Sequence, residues 1–463
     1  MANDVHQKAL EINLDSSRYG SFAEIGAGQE VARWFFRVGA AAGTIAKSVS
    51  AYDMKVSDAI YGKPQRYVSR SRLVAMLERE HALNLERLSE SRGSDTAFFA
   101  FADTVAAQSY SGTSDCHAWM GIRFQASPGA GDSQIVLHVR MLDSQNLQQQ
   151  EALGIIGVNL VYGAFHHAHE PRRLIESLLD DLSTDRIEVD MIAFSGEAFR
   201  EVDNRVMALK LVQLGLTPAA MFAASGEALH ISEVIYGKPV LVQRGRFRPP
   251  TLVNRDMQLG ALSRFLEEPE VEEEAVVSLL EMTLPDLSVD GEIEFGDFLG
   301  RIDVLSAGKF SVLISNYTLY FRLAEYLARN TRKPIGIALG IRNVRDIFDE
   351  KHYQELGGGI LEATGRLFKN QLRLFVYPAL EPGSGELVTA DSLEIESDIN
   401  VLYRYLVEHD YIRAIEGFDE KNLQIHSEDV LLRIRSGDPS WAEMVPPLVA
   451  KAIKSRRLFG SRG

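Results

Sequence analysis

Three histidines, a proline and two arginines fall within GAFHHAHEPRR, positions 163–173. In an extended chain His167 and His169 lie on one side, because alternate side chains share a face. Two imidazoles so placed can hold zinc, but a catalytic zinc takes three protein ligands and keeps one position open. His138 or Asp190 could supply the third only if the fold brings them near. The competing reading is a polar connection whose histidines are solvated. Arg172 follows Pro171, where a helix is expected to begin. A phosphate is favoured there, since the first N–H groups of a helix have no partner within it.

A second candidate is EIGAGQEVARWFF, 24–36. A strand is expected to end at Gly26 and a helix to begin near Gln29, so Gly26, Gly28 and Gln29 could turn backbone N–H groups onto a ligand. The dinucleotide pattern G-x-G-x-x-G lacks its third glycine, replaced by Val31. A tight strand–helix junction, with Glu30 favourable to the helix dipole, is the alternative. RGRFRP, 244–249, places Arg244, Arg246 and Arg248 on one face of an extended segment, as an anion site or a salt-bridged edge. Ser315 and Asn316 follow a buried run, and Asp103 and Arg140 sit in comparable places. Parallel sheets and barrels collect their ligands at such strand ends, although an internal ion pair explains a buried charge equally well. The sequence contains no G-x-S-x-G elbow, Walker A loop or H-E-x-x-H helix.

The 163–172 stretch resembles the first motif of the nucleotidyltransferases that include nicotinate- and nicotinamide-nucleotide adenylyltransferases. That motif is a glycine, an aromatic two places on, then histidine, any residue, glycine and histidine, between a strand and a helix. Gly163, Phe165 and His169 match it, while Pro171 and Arg172 replace its second glycine and second histidine. The resemblance implies that His169 and Arg172 are catalytic, that Gly163 and His167 contact the ligand, and that charge stabilisation, with Mg²⁺, would carry the transfer. IHSEDVLLRIRSGDPSWAEMVPPLVAKAIK, 425–454, resembles the closing segment of the same enzymes through Arg433, Gly437, Val445, Pro446 and Val449. Of the hydroxyl-rich phosphate loop only Ser427 remains, beside His426, Glu428 and Asp429.

The chain up to about residue 405 is also similar to an uncharacterised bacterial family. Its members carry the labels "TonB-dependent receptor" or "nicotinate-nucleotide adenylyltransferase". YGSFAEIGAGQEVARWFF, GTIAKSVSAYDM, LQQQEALGIIGVNLVYGAF, IEVDMI, YGKPVLVQRGRFRP and LGGGILEATGRLF carry that similarity. The receptor label implies an outer-membrane barrel with an export signal and alternating lipid-facing strands, and the sequence has neither pattern.

Strands are expected at 22–26, 97–103, 118–124, 134–142, 155–163, 186–194, 239–245, 275–284, 309–316, 334–340 and 372–378. Several are apolar at consecutive positions, as parallel strands buried on both faces are. Helical stretches with one apolar stripe lie between them. The expected fold is α/β with mainly parallel sheets: two doubly wound lobes, or a (β/α)-barrel-like core, with a helical C-terminal appendage. The acidic run EEPEVEEE, 267–274, and the turn-rich 381–392 suggest domains at 1–266, 275–380 and 393–463.

With a net charge of -15 over 463 residues, nucleic acid is not an expected partner, since phosphate binding needs a basic surface. Cys116 is the single cysteine, so no intramolecular disulfide can form. The N-terminal residues lack a signal-peptide core, and no run reaches the ~18 apolar residues of a membrane span. A cytoplasmic protein without membrane partners is expected. The functional expectation is an enzyme, or the descendant of one, that binds a small phosphorylated or nucleotide-like metabolite. The alternative is a non-catalytic protein that self-associates as a homo-oligomer, or binds a partner, through apolar surface such as ARWFFRV.

Overall fold

A computed structural model describes residues 4–107, 116–223, 225–288, 291–306, 310–395 and 398–461. The chain divides into two units, Met1–Pro218 and Ala219–Gly463. The acidic run 267–274 therefore lies inside the second unit.

The first unit opens with α1 (Val5–Leu14), β1 (Arg18–Ile25), α2 (Glu30–Val38), β2 (Ile45–Val49), α3 (Met54–Tyr61) and α4 (Arg70–Arg92). It continues with β3 (Ala97–Ala106), β4 (His117–Gln125), β5 (Asp132–Met141), α5 (Asn146–His166), α6 (Pro171–Ser177), β6 (Ile187–Gly196) and α7 (Asn204–Gln213). These strands form one open sheet in the order β2-β1-β3-β4-β5-β6. β1 runs parallel to β2 and β3, whereas β3 to β6 pair antiparallel. A long crossover that includes α4 separates the parallel β1 and β3, a short turn joins β4 to β5, and α5 and α6 lie between β5 and β6. On one face Phe22 packs against Phe99 and Phe101 of β3 and against Phe35 of α2. Phe165, the aromatic of the histidine stretch, packs edge-on against Phe99 and Phe124, so it belongs to the core.

One expected strand is a helix. IIGVNLVYG, 155–163, lies within α5, whose Ile155, Ile156, Val158, Leu160 and Val161 are all buried. A short apolar run does not distinguish a buried strand from a buried helix. Here the segment is long and apolar on every side. Two glycines let α5 approach α2 closely: a Cβ at Gly157 would lie 2.2 Å from a Val31 methyl, and one at Gly154 3.1 Å from the Glu30 carbonyl. Gly157→Ala should therefore cost about 1–3 kcal/mol by overpacking. Urea unfolding would measure it, and the loss should shrink when Val31→Ala is added. Inside the same helix Asn159 donates to the carbonyls of Leu178 and Asp180 and accepts from the buried Lys8 ammonium at 2.8 Å. That node ties α1, α5 and the chain after α6 together.

The second unit begins β7 (Ala219–Phe222), β8 (Ala228–Leu229), α8 (Ile231–Ile235), β9 (Val240–Arg244), α9 (Leu252–Phe265), β10 (Val277–Thr283), α10 (Leu284–Leu287) and α11 (Phe295–Ser306). Then come β11 (Ser311–Ser315), α12 (Tyr320–Asn330), β12 (Ile335–Gly340), α13 (Ile341–Ile347), α14 (Gly359–Leu367) and β13 (Leu372–Tyr377). A hairpin of β14 (Ala379–Leu380) and β15 (Leu387–Val388) precedes α15 (Asn400–Glu408), β16 (Ile412–Ala414), α16 (Ser427–Ser436) and α17 (Pro447–Arg456). The sheet order is β16-β13-β12-β9-β10-β11-β7-β8. From β16 to β11 every pairing is parallel, and β7 adds antiparallel to β11. The strand order reverses between β9 and β12, the type of crevice where open α/β sheets take ligands.

The tail is partly integral to this sheet, because β16 pairs with β13. The rest is helical: Trp441, Val449 and Ile453 pack with Val430 and Ile434 of α16 and with Val304 of α11. The protein is thus α/β with sheets that contain parallel pairing, and neither main sheet closes into a barrel among the described residues. The receptor label finds no support in this fold. No helix among the described residues is long and apolar enough to cross a membrane.

Candidate functional site

At the C-terminal end of the parallel pair β1/β3, Glu24 stands beside Asp103 in register, and both are buried. The Glu24 carboxyl accepts the backbone N–H groups of Val31 at 2.8 Å and Ala32 at 3.2 Å. These lie in the first turn of α2, so the chain's own acid takes two of the N–H groups at this helix start. Gly26 has a packing reason to be glycine: its φ is 112°, and a Cβ would lie 2.2 Å from the Val105 carbonyl oxygen. Gly28 is exposed, and Gln29 caps the helix without a side-chain hydrogen bond. Asp103 accepts from the Ile25 N–H at 3.2 Å. Burial pushes Glu24 up to about 8. Burial, and then the neighbouring Glu24, raise Asp103 well above the usual carboxylate range. The α2 amides favour the charged form of Glu24, and the Ile25 N–H favours that of Asp103. Glu24 went unnoticed in the sequence; the available signal was two acids at inward positions of two buried strands.

On the other face of this sheet His138 and Asp190 meet each other. The His138 Nδ1 lies 2.6 Å from Asp190, and its Nε2 lies 3.0 Å from the Nδ1 of His117. The Trp119 ring packs edge-on against His138. With Nδ1–H directed at the carboxylate, Nε2 is left to accept from His117, an arrangement able to pass a proton along the row. Arg140 is paired with Glu188 at 2.9 Å, which also accepts the Thr217 hydroxyl at 2.6 Å.

The histidine stretch joins two helices, α5 and α6, rather than a strand and a helix. His166 stacks on Tyr162 and lies 3.1 Å from Arg18. His167 ends α5 with its ring edge toward Tyr162. Burial first, then the charge of Arg18 or Arg173, lowers both imidazoles below their ordinary value. His169 and Arg172 are exposed. Gly163 makes room for Leu174 of α6, to whose Cγ a Cβ would approach within 2.9 Å. Among the described residues, no group of three metal-ligating side chains includes His167 or His169.

In the second unit, Arg244 makes two bonds to Glu281, at 2.8 and 3.0 Å, and lies over the Tyr320 ring at 4.2 Å. Ser315 donates to the same carboxylate at 2.6 Å. Glu281 and Ser315 are fully buried. Two residues expected to hold a ligand thus share an internal acid, and Asn316 beside them is exposed. Arg246 reaches Asp286 at 3.6 Å and Glu428, from the tail, at 3.5 Å. Arg248 pairs with Asp297 at 2.7 Å, and Asp297 also binds the buried Arg301 at 2.6 Å. The arginines of RGRFRP therefore go to separate acids and do not converge on one anion site. Sequence reasoning missed Glu281 and Asp297, which lie 37 and 49 residues from Arg244 and Arg248, and Arg301, one helical turn from Asp297.

A cleft of about 270 Å³ opens between α9, the end of α11 and the start of α17. Phe247, Leu280, Val304, Pro446 and Val449 give it an apolar lining, in which Gln243, Thr251, Asn254 and Gln258 also take part. Pro446 and Val449 come from the segment with nucleotidyltransferase-like layout.

No protein-family model matches the chain, and no curated protein matches it. Among solved structures it is similar to the competence/damage-inducible protein CihA of Agrobacterium tumefaciens, with 17% identity and a TM-score of 0.25, over 34% of this chain and 94% of that one. A competence or damage-inducible protein of Enterobacter asburiae is similar at 14% identity and a TM-score of 0.25, over 35% of this chain and 98% of that one. The nicotinic acid mononucleotide adenylyltransferase of Plasmodium falciparum is similar at 13% identity and a TM-score of 0.29, over 48% of this chain and 97% of that one.

Proposed function

We propose that this chain binds a small nucleotide-like metabolite and transfers no phosphoryl or adenylyl group from it. The observation that carries the reading is the internal pairing of Arg244, Arg246 and Arg248 with Glu281, Asp286 and Asp297. Transfer needs cations aimed at developing phosphate charge, and freeing Arg244 would leave Glu281 buried and unpaired. The same acids are committed to arginines, so these strand ends do not fit a resident Mg²⁺. The binding half is supported by the 270 Å³ cleft with its Gln243 and Gln258 amides.

The test is the intact chain incubated with ATP and nicotinate or nicotinamide mononucleotide, together with melting curves against nucleosides and nucleotides. No pyrophosphate release and a rise in melting temperature are expected. Protein-dependent pyrophosphate release would overturn the transfer half, and a melting temperature unmoved by the whole panel would overturn the binding half.

A second reading is favoured by exposed apolar side chains around α3: Tyr52, Met54, Val56, Ile60 and Tyr67. Phe36 of ARWFFRV is exposed as well, whereas Phe35 beside it is core. A light-scattering mass of a multiple of the chain, with no response to any ligand, would favour self-association.

A further inference from the structure

Gln258 of α9 is buried, with 6% of its surface exposed, and neither its amide nitrogen nor its amide oxygen has a hydrogen-bond partner. A buried amide left unpaired costs about 1–3 kcal/mol, so a soluble protein that keeps one has a donor and an acceptor in reserve. Gln258 lines the 270 Å³ cleft. Its neighbour there, Gln243, is 1% exposed and gives its amide N–H only to the Met257 sulfur at 3.4 Å, a weak acceptor. Thr251 and Asn254 add polar groups to the wall, the rest is hydrocarbon and aromatic, and Arg255 is exposed.

The geometry points to a subsite for one flat, uncharged ring that carries a lactam or carboxamide edge, read by the Gln258 amide. This rests on the binding half of the reading above. The chemistry follows from complementarity: a primary amide presents one donor and one acceptor side by side, and a lactam or carboxamide presents the matching pair. The apolar walls cover the ring faces. The volume lies just below the ~300–1,000 Å³ of drug-sized pockets, so it holds a single ring system, with any charged substituent directed outward past Arg255. A charged ring is disfavoured, because among the described residues the inner wall carries no charged side chain to compensate it.

Gln258→Met supplies a test with two readouts. Without ligand the variant should melt higher than the parent by roughly 2–4 °C, because an unpaired amide has been replaced by an apolar group of similar shape. Titration of both proteins with 2-pyridone, benzamide and toluene, followed by NMR, is the second readout. The parent should bind the first two more tightly than toluene by on the order of tenfold, and the variant should lose that preference while still binding toluene. A lower melting temperature for the ligand-free variant would mean that Gln258 is bonded within the protein and would overturn the subsite. So would an unchanged preference, or failure of the parent to bind either amide probe. If the nucleosides and nucleotides of the previous section still stabilise Gln258→Met as they do the parent, the subsite fails and the binding reading stands. If they stabilise neither protein, the binding reading fails.

Discussion

Replacing Glu281 by alanine should destabilise the second unit by about 3–5 kcal/mol, the range for removing one partner of a buried ion pair. Glu281 is fully buried, takes two bonds from Arg244 and accepts the Ser315 hydroxyl. Its loss strands a guanidinium that is shielded from water and a hydroxyl that has lost its acceptor. Restoring neutrality is the decisive control. Glu281→Ala combined with Arg244→Leu should recover much of the loss, because an apolar pair of similar volume is tolerated where a lone charge is not. Urea unfolding monitored by circular dichroism measures both, with a lower midpoint for the single variant and a partial return for the double. A loss below about 1 kcal/mol for Glu281→Ala would show that the pair is solvated. The same variant also tests the older role of the arginine: if Arg244 were a phosphate ligand held in check, freeing it would create affinity for ATP.

The second large effect is a dependence on pH centred on the first unit. Glu24 moves from 4.5 to about 8, chiefly through burial. Between those values the folded chain keeps a proton that the unfolded chain has released. Stability from this group is therefore full below about pH 4.5 and is lost as the pH rises through 8. From pH 7 to pH 9 the loss is about 1.4 kcal/mol, one pKa unit's worth. His81, His166 and His167 have lowered values and act in the opposite sense, below their ordinary 6.5, so the alkaline side isolates the carboxyl. Glu24→Gln should abolish the slope between pH 7 and 9. It should also lower stability at every pH, since an amide NH₂ would then face one of the α2 N–H groups. Asp103→Asn should leave the Glu24 slope in place, because burial, the largest cause of the Glu24 shift, does not depend on the Asp103 carboxyl. Urea midpoints across the range distinguish the two. An equal slope in all three proteins would remove Glu24 as its source.

Most strands were legible because their apolar runs are dense and bounded by turn residues. β3, β5, β9, β12 and β13 appear within a few residues of expectation. The expected strand at 309–316 appears as β11, with Lys309 outside the described residues. The α5 stretch was not legible, since glycine, valine and isoleucine in a short run suit a buried strand and a buried helix alike. That one substitution of helix for strand moved the histidine stretch from a strand end to a helix–helix connection, where His169 and Arg172 face solvent. β2 and β16 escaped notice because edge strands need little apolar density: every residue of β2 is only partly buried. Charges at strand ends were visible, and the ion-pair alternative weighed for Arg140 is the arrangement found, while Arg244 pairs with a buried acid and not on a solvated edge. Their partners were not visible. Glu281 is separated from Arg244 by 37 residues, and nothing local in a sequence marks which of many acids will close such a gap.

The parallel pairing of β1 with β3 has a consequence for synthesis. β3 begins at Ala97, whereas β1 ends at Ile25, so β1 leaves the ribosome about 70 residues before its partner exists. At 5–20 residues per second that interval is roughly 4–15 s. During it Phe22 and Phe35, which the finished fold excludes from water entirely, have no sheet to cover them. β3, β4 and β5 can zip from neighbour to neighbour as they emerge, while β1 and β2 must wait and then dock across a long loop. The N-terminal fifty residues are thus exposed to capture by holdase chaperones during that interval. Slowing translation between β2 and β3 should lengthen that exposure and lower the yield of soluble protein.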